Sequence, residues 1–243
     1  MRRHVTPKGD VLLTVLTPEG KVRVAARSGA SGPRSPKLNL FQHITFQTYE
    51  RPGQDMATLT QVSLEGALPG LSHPDCYPYA HLLAELVDKL WQPNDRVGEA
   101  AFKLVSGAFR GLVRHDDPDR VALTFSWKIL AASGLFPRLG ACVHTGKTEA
   151  LTRFDALEGG AVCRDVPRGL DVGEDTLLEL ALIGGGTVRE ALEDPMDPRV
   201  REMLWLSLEA YTRAHVADLR TWEALRSARY AQDSGSPPLA ASA

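Results

Sequence analysis

The chain has 243 residues, of which 43% are hydrophobic and 24% charged, and its formal net charge is −2. These values are ordinary for a globular protein, and no run approaches the roughly 18 consecutive apolar residues of a membrane-spanning helix. The three cysteines cannot build a disulfide framework, and no apolar run follows Arg2 and Arg3 to form a signal peptide. We therefore expect a cytoplasmic protein without membrane contact.

Charge is unevenly distributed along the chain. Residues 1–40 carry eight Lys or Arg against two acidic residues, a net charge of +6, so the other 203 residues carry −8. This asymmetry favours a polyanion as the partner of the N-terminal segment. Scattered surface charge on a small domain is the plain alternative.

Short runs of β-type residues fill the first part of the chain, at Val11–Leu16, Lys21–Ala26, Ile44–Tyr49 and Ala57–Leu64. Residues 17–20 have the chemistry of a tight turn, so the first two runs should form a hairpin. The basic segment 27–37 is rich in Gly, Ser and Pro and is expected to be a mobile loop. A small barrel with a mobile basic rim is a usual way to hold single-stranded nucleic acid.

Beyond Pro78 the hydrophobic period changes to that of an α-helix. A third predicted helix, about Asp119 to Ala132, is apolar on most sides and should lie centrally in a bundle. Capping signals at Thr187 and Asp197 open two later helices. The prediction is an α+β multidomain fold, with an OB-fold β-barrel over residues 1–78, an α-helical domain over 79–134 and 174–232, a zinc-finger-like insert over 135–173 and a disordered tail over 233–243.

The order of several segments resembles the bacterial RecO family of DNA repair proteins over nearly the whole chain. The resemblance is carried by the segments 10–26, 56–61, 79–88 and 125–140. It implies an N-terminal OB-fold barrel and a helical domain into which a small zinc module is inserted. It further implies a nucleoid-associated protein that binds single- and double-stranded DNA, anneals complementary strands and, with RecR, helps load RecA onto DNA coated with single-strand-binding protein.

Flexible cations along a groove are what phosphate binding requires, because each contact releases counterions. Strand alternation places Lys21 and Arg23 on one face, and it leaves Tyr49 as the exposed ring best suited to stack on a base. A merely solvated face is the alternative. The candidates for DNA binding are Arg2, Arg3, Lys21, Arg23, Arg27, Arg34, Lys37, Tyr49 and Arg51.

The cysteines of the insert resemble a zinc module that has lost half of its ligands. A structural zinc site needs four ligands, commonly two Cys-x-x-Cys pairs, but Thr145 and Val166 stand where the second cysteines are expected. The remaining candidates for one structural zinc are Cys142, His144, Cys163 and Asp165. A metal-free remnant held by packing is the alternative.

No set of residues with the spacing of a catalytic site emerges, so we expect a protein that binds DNA without changing it. Two other functions remain open from the sequence. One is an OB-fold protein that binds RNA, and the other is a metal-dependent hydrolase of nucleic acids built on the Cys/His insert.

Overall fold

Five strands in the first part of the chain form one mixed sheet in this computed structural model, which describes residues 2–51, 53, 56–93 and 95–233. The strands are β1 (Arg2–Val5), β2 (Val11–Leu16), β3 (Lys21–Ala26), β4 (His43–Tyr49) and β5 (Ala57–Gly66). Their order across the sheet is β1-β2-β3-β5-β4, and β3 and β5 are parallel while the other neighbours are antiparallel. The four predicted runs are confirmed as strands, and β1 is an addition that the sequence did not indicate.

The sheet buries one of its two faces. Alternate residues of β2, β3 and β5 point to that face, as the period of two requires, and pack with one side chain from the loop after β3. The buried cluster consists of Val11, Leu13, Val24, Ala26, Leu38 and Leu59.

The predicted hairpin turn is confirmed and is packed against the segment that follows helix α1 (Tyr77–Leu90). Thr17 and Gly20 exchange backbone hydrogen bonds of 2.8 and 3.2 Å, which close the turn. A Cβ atom on Gly20 would lie 2.8 Å from the carbonyl oxygen of Asp95, so this contact requires glycine. Helix α2 (Glu99–Arg114) completes a compact unit that spans residues 1–116.

The second compact unit spans residues 117–243 and is mainly helical. Its described helices are α3 (Pro118–Ala132), α4 (Glu174–Gly185), α5 (Val188–Glu193), α6 (Pro198–His215) and α7 (Thr221–Asp233). Helix α3 packs against α4, α5 and α6, and every residue from Arg120 to Leu130 is buried, as its all-round apolar sequence predicts. The side chains of Asp117, Thr187 and Asp197 cap α3, α5 and α6.

The insert is a small three-stranded sheet in the order β7-β6-β8, built from β6 (Leu151–Asp155), β7 (Gly160–Cys163) and β8 (Leu170–Asp171). Helices α1 and α2 fall in the same unit as the large sheet, whereas the sequence groups them with the later helices. The predicted disordered tail lies outside the described residues except for residue 233. None of the described helices has the length and apolar character needed to cross a membrane.

Candidate nucleic-acid interface

The outer face of the large sheet carries a polar row across strands β1, β2 and β3. Arg2 lies opposite Thr14 in the register, and Thr14 lies opposite Arg23. Residues opposite each other point to the same face, and because neighbouring strands are about 4.8 Å apart, the backbones of the two arginines are separated by roughly 10 Å. Arg2 and Arg23 are both exposed. Arg2, Thr14 and Arg23 together are called the arginine row below.

A second row on the same face ends at an exposed aromatic ring. His4, Leu12, Ala25, Thr58 and Tyr49 lie opposite one another in sequence across all five strands. The Tyr49 side chain is 57% exposed, as its position in the sequence predicts. The sheet therefore presents a ring that could stack on a base on the same face as the arginine row.

Lys21 shares this face but is not part of its exposed surface. The residue is only 7% exposed, and its Nζ donates a hydrogen bond of 2.7 Å to the carbonyl oxygen of Asp88 on α1. The same Nζ lies 3.4 Å from Asp88 Oδ1. An ammonium group that is covered by a carboxylate has no free side to offer a phosphate. Alternation therefore assigns the correct face to Lys21, but burial by α1 removes it from the predicted interface.

Arg3 and Lys37 are half-buried and are held by backbone carbonyls. Arg3 lies opposite Leu13, on the core side of the sheet, and its Nε donates a hydrogen bond of 2.9 Å to the carbonyl oxygen of Leu38. Lys37 Nζ lies 3.5 Å from the carbonyl oxygen of Val62 on β5. These two cations fasten the loop after β3 to the sheet and do not extend the arginine row.

Arg27 and Arg34 are both exposed in the loop that joins β3 to β4. The beginning of this loop is fixed, because the Ser28 amide donates a hydrogen bond of 2.8 Å to Asp10 Oδ1. Residues 35–37 form a short 3₁₀ turn, a local structure that the Gly, Ser and Pro content did not indicate. The loop thus offers two solvated cations beside the sheet.

Two further loops carry one exposed cation each. Lys8 lies between β1 and β2, and Arg51 directly follows β4. The loop of Lys8 is joined to the β3–β4 loop by a hydrogen bond of 3.0 Å from the Ala30 amide to the carbonyl oxygen of Gly9. Lys8 is not among the predicted site residues, because the sequence does not indicate β1 and so does not mark Lys8 as part of a connection between strands.

The insert brings its two cysteines together without the other predicted ligands. Cys142 and Cys163 share a buried cluster against which Val166 packs, and Thr145 Oγ1 lies 3.5 Å from Cys163 Sγ. Burial of the Cys142 thiol opposes ionisation, but hydrogen bonds from the Thr145 side chain, from the backbone of Cys163 and His144, and from the Cys163 thiol lower the pKa of Cys142 from 9.0 to about 6. Thr145 and Val166 thus fill the places of the two missing cysteines.

The remaining predicted zinc ligands are directed elsewhere. His144 Nε2 lies 2.9 Å from Asp155 Oδ2, and Asp165 is exposed. Burial disfavours the charged form of Asp155, but hydrogen bonds from the Glu158 amide, the His144 ring and the Leu157 amide hold the pKa of this carboxyl below its usual range. Among the described residues no three His, Cys, Asp or Glu side chains converge as metal ligands. Two thiols beside a threonine and a valine do not fit a four-ligand zinc site. Binding of one zinc by the four predicted ligands therefore stays an untested prediction.

The first unit has a five-stranded sheet that presents Arg2 and Arg23 on one face, with four further exposed cations in the loops that follow β1, β3 and β4, a pattern that is typical of nucleic-acid-binding proteins. Comparison with known proteins specifies the class further. The family model "Recombination protein O C terminal" matches residues 72–223.

Several curated relatives are similar over most of the chain. The DNA repair protein RecO of Anaeromyxobacter sp. (strain K) is 32% identical over 224 residues, which cover 86% of each chain. The DNA repair protein RecO of Symbiobacterium thermophilum is 33% identical over 211 residues, with 82% of this chain and 79% of the relative covered. The DNA repair protein RecO of Bacillus subtilis is 28% identical over 156 residues, with 63% and 60% covered. The chain therefore belongs to the RecO family of DNA repair proteins.

Proposed function

We propose that this member of the family holds single-stranded DNA on the outer face of its N-terminal sheet. The observation that carries the proposal is the strand register, which sets Arg2, Thr14 and Arg23 side by side and brings Tyr49 to the same face. Cations neutralise phosphates with release of counterions, and an exposed aromatic ring stacks on bases of any sequence. The relatives support this substrate because they are named as DNA repair proteins.

The proposed host of the interface is an OB-fold barrel. The strand order, with β3 and β5 as the parallel pair, supports it because an OB-fold is a five-stranded, partly open Greek-key barrel. OB-folds bind oligonucleotides on the face of their second and third strands and on the loops that follow their first and fourth strands. Arg23 on β3, Lys8 after β1 and Arg51 after β4 occupy these places.

The finer functions are those that the family resemblance implies. The protein binds double-stranded as well as single-stranded DNA and anneals complementary strands. Together with RecR it helps load RecA onto single strands covered by single-strand-binding protein. It acts on the nucleoid in the cytoplasm, by binding and positioning DNA rather than by catalysis.

The interface is tested by replacing Arg23 with alanine in the full chain. Binding of a fluorescent oligodeoxythymidylate is followed by anisotropy at a series of salt concentrations. Each phosphate contact to a single strand adds about 0.7 to the slope of log K against log salt, so the variant should lose affinity at low salt and about 0.7 of the slope. The melting temperature should not change, because Arg23 is exposed.

The matched control is Arg189→Ala, because Arg189 is an exposed arginine on α5 of the second unit. It should keep the affinity and the salt slope of the wild type. An Arg23→Ala variant that binds like the control would refute the interface. Competition with RNA of the same length separates the two substrates, since RNA that displaces the DNA at equal concentration would favour the RNA-binding alternative.

A further inference from the structure

A groove of about 650 Å³ lies within the first unit, between one end of the large sheet and helix α2. Residues 13–19 of β2 and its following turn line one side, and residues 37–46 line another. Phe102 and Arg110 of α2 are among the side chains that close it. Its volume falls within the roughly 300–1,000 Å³ that are typical of ligand sites, so the groove is large enough for one planar ring and its substituents.

Five aromatic side chains are among the residues that line the groove: Phe41, His43, Phe46, Phe102 and Phe109. The ring centroids of His43 and Phe102 are 6.2 Å apart, and those of Phe41 and Phe109 are 5.5 Å apart. Phe41 has a φ of +60°, a backbone conformation that is strained for a bulky residue. Strain of this kind persists where the surroundings enforce it and is concentrated at ligand sites.

The charges of the groove favour a ring that carries a phosphate. Its lining holds three cations, Arg2, Lys37 and Arg110, and two carboxylates, Glu19 and Glu65. The exposed Arg2 side chain is ion-paired with Asp88 and can exchange this partner for a phosphate at little cost. Arg2 also belongs to the arginine row, and the groove is therefore continuous with the proposed DNA-binding face. Thr14 of the arginine row also lines the groove, so a strand that crosses this row runs beside it.

We propose that the groove receives an unstacked nucleobase of the single strand that is bound on the outer face. The inference rests on the proposed function and adds a second place for bases, separate from Tyr49. The ring of the base lies against Phe102 and its neighbours, and a flanking phosphate lies near Arg2. Because every base has a π-face, this contact is tolerant of sequence.

The test compares two probes of equal length, an oligodeoxythymidylate and an abasic oligonucleotide with the same number of phosphates. The full-length variants are Phe102→Ala and, with most of the apolar volume retained, Phe102→Leu. Stacking of a base on an aromatic side chain corresponds to roughly a 5- to 150-fold change in affinity, so both variants should bind the thymidylate about tenfold or more weakly. Binding of the abasic probe should be unchanged, and Phe102→Leu should melt close to the wild type.

The matched control is Tyr230→Ala, an aromatic truncation on α7 at a residue that is 80% exposed, and it should change neither affinity. If the wild type binds neither probe, the proposed function itself fails. If the wild type prefers the thymidylate but the Phe102 variants keep that preference, the base pocket is overturned and the DNA-binding face survives. An equal loss for both probes would also overturn it, because the role of Phe102 would then be structural.

Discussion

Replacing Lys21 by methionine should destabilise the first unit and weaken its binding of single-stranded DNA less than replacing Arg23 does, because Lys21 acts on DNA only through Asp88. Lys21 Nζ donates a hydrogen bond of 2.7 Å to the Asp88 carbonyl and forms an ion pair of 3.4 Å with its carboxylate. A hydrogen bond that involves a charged group contributes about 1.5–3 kcal/mol. The full 3–5 kcal/mol for breaking a buried pair should not appear, because Asp88 keeps its ion pair with Arg2. We expect a loss of about 2–3 kcal/mol.

The matched variant is Arg23→Met, two residues further along the same face of β3. Arg23 is exposed, so its replacement should change the free energy of unfolding by less than about 0.5 kcal/mol. Urea unfolding at constant pH measures the free energy of unfolding of both variants. In thermal unfolding, Lys21→Met should lower the melting temperature by roughly 6–15 °C for a unit of this size. Anisotropy with an oligodeoxythymidylate should show the opposite ranking, with the larger loss of affinity for Arg23→Met.

A Lys21→Met variant that melts like the wild type and binds DNA as weakly as Arg23→Met would refute the structural role of Lys21. The double variant Lys21→Met/Asp88→Leu gives a further check. Replacing both members of a buried pair by apolar groups is often neutral, so the double variant should regain a large part of the stability that the single one loses. If the double variant loses as much stability as Lys21→Met, or more, a direct pairing of the Lys21 and Asp88 side chains is contradicted.

Three further outcomes are expected in the second unit. Asp119→Ala should destabilise it by about 2–4 kcal/mol, measured by tryptophan fluorescence during urea unfolding, because Asp119 accepts hydrogen bonds of 3.0 Å from Trp205 Nε1 and 2.9 Å from Arg229 Nε; a change within 0.5 kcal/mol would contradict this. The pKa of Cys142 is lowered from 9.0 to about 6 in the folded protein. The stability that the ionised Cys142 thiol contributes is therefore complete above pH 9 and is lost as the pH falls through 6. The free energy of unfolding should therefore rise between pH 6 and pH 9 in urea titrations, and Cys142→Ser should flatten that rise; a slope shared by both proteins would count against the thiolate. Elemental analysis of the purified chain should find less than one zinc per molecule, and stoichiometric zinc that survives dialysis would show that a ligand set other than the present arrangement forms.

Local patterns were sufficient for most of the fold because they depend on neighbours in sequence. Period-two alternation located β2, β3, β4 and β5, and helical spacing or capping residues located α1, α3, α5 and α6. Strand β1 was missed because Arg2, Arg3 and His4 give it no apolar alternation, and only pairing with β2 makes it a strand. Helix α7 lies in the predicted helical domain but was not predicted as a separate element, because about half of its residues are polar and the buried Trp222 and Leu225 form too short a stripe.

The burial of Lys21 could not be predicted from the strand that carries it. Its partner, Asp88, is 67 residues away, and no local pattern connects a lysine on β3 with a carboxylate on α1. The same limit applies to the insert. The cysteine spacing predicted that Cys142 and Cys163 lie together, and the structure places them in one cluster. The orientation of His144 toward Asp155 depends on tertiary contacts, which the spacing does not show.

Arg2 can serve the proposed interface without leaving a buried charge unpaired. Its side chain is 61% exposed, and an ion pair of such a group contributes at most about 1 kcal/mol, so a phosphate can replace Asp88 as its partner at little cost. The Asp88 side chain is only 6% exposed, and when Arg2 turns to a phosphate the carboxylate still has Lys21. Because Lys21 compensates the charge of Asp88, that carboxylate repels a nearby phosphate less than a free one would. The lysine that burial removes from direct contact with DNA therefore still favours binding, through the acidic group that it neutralises.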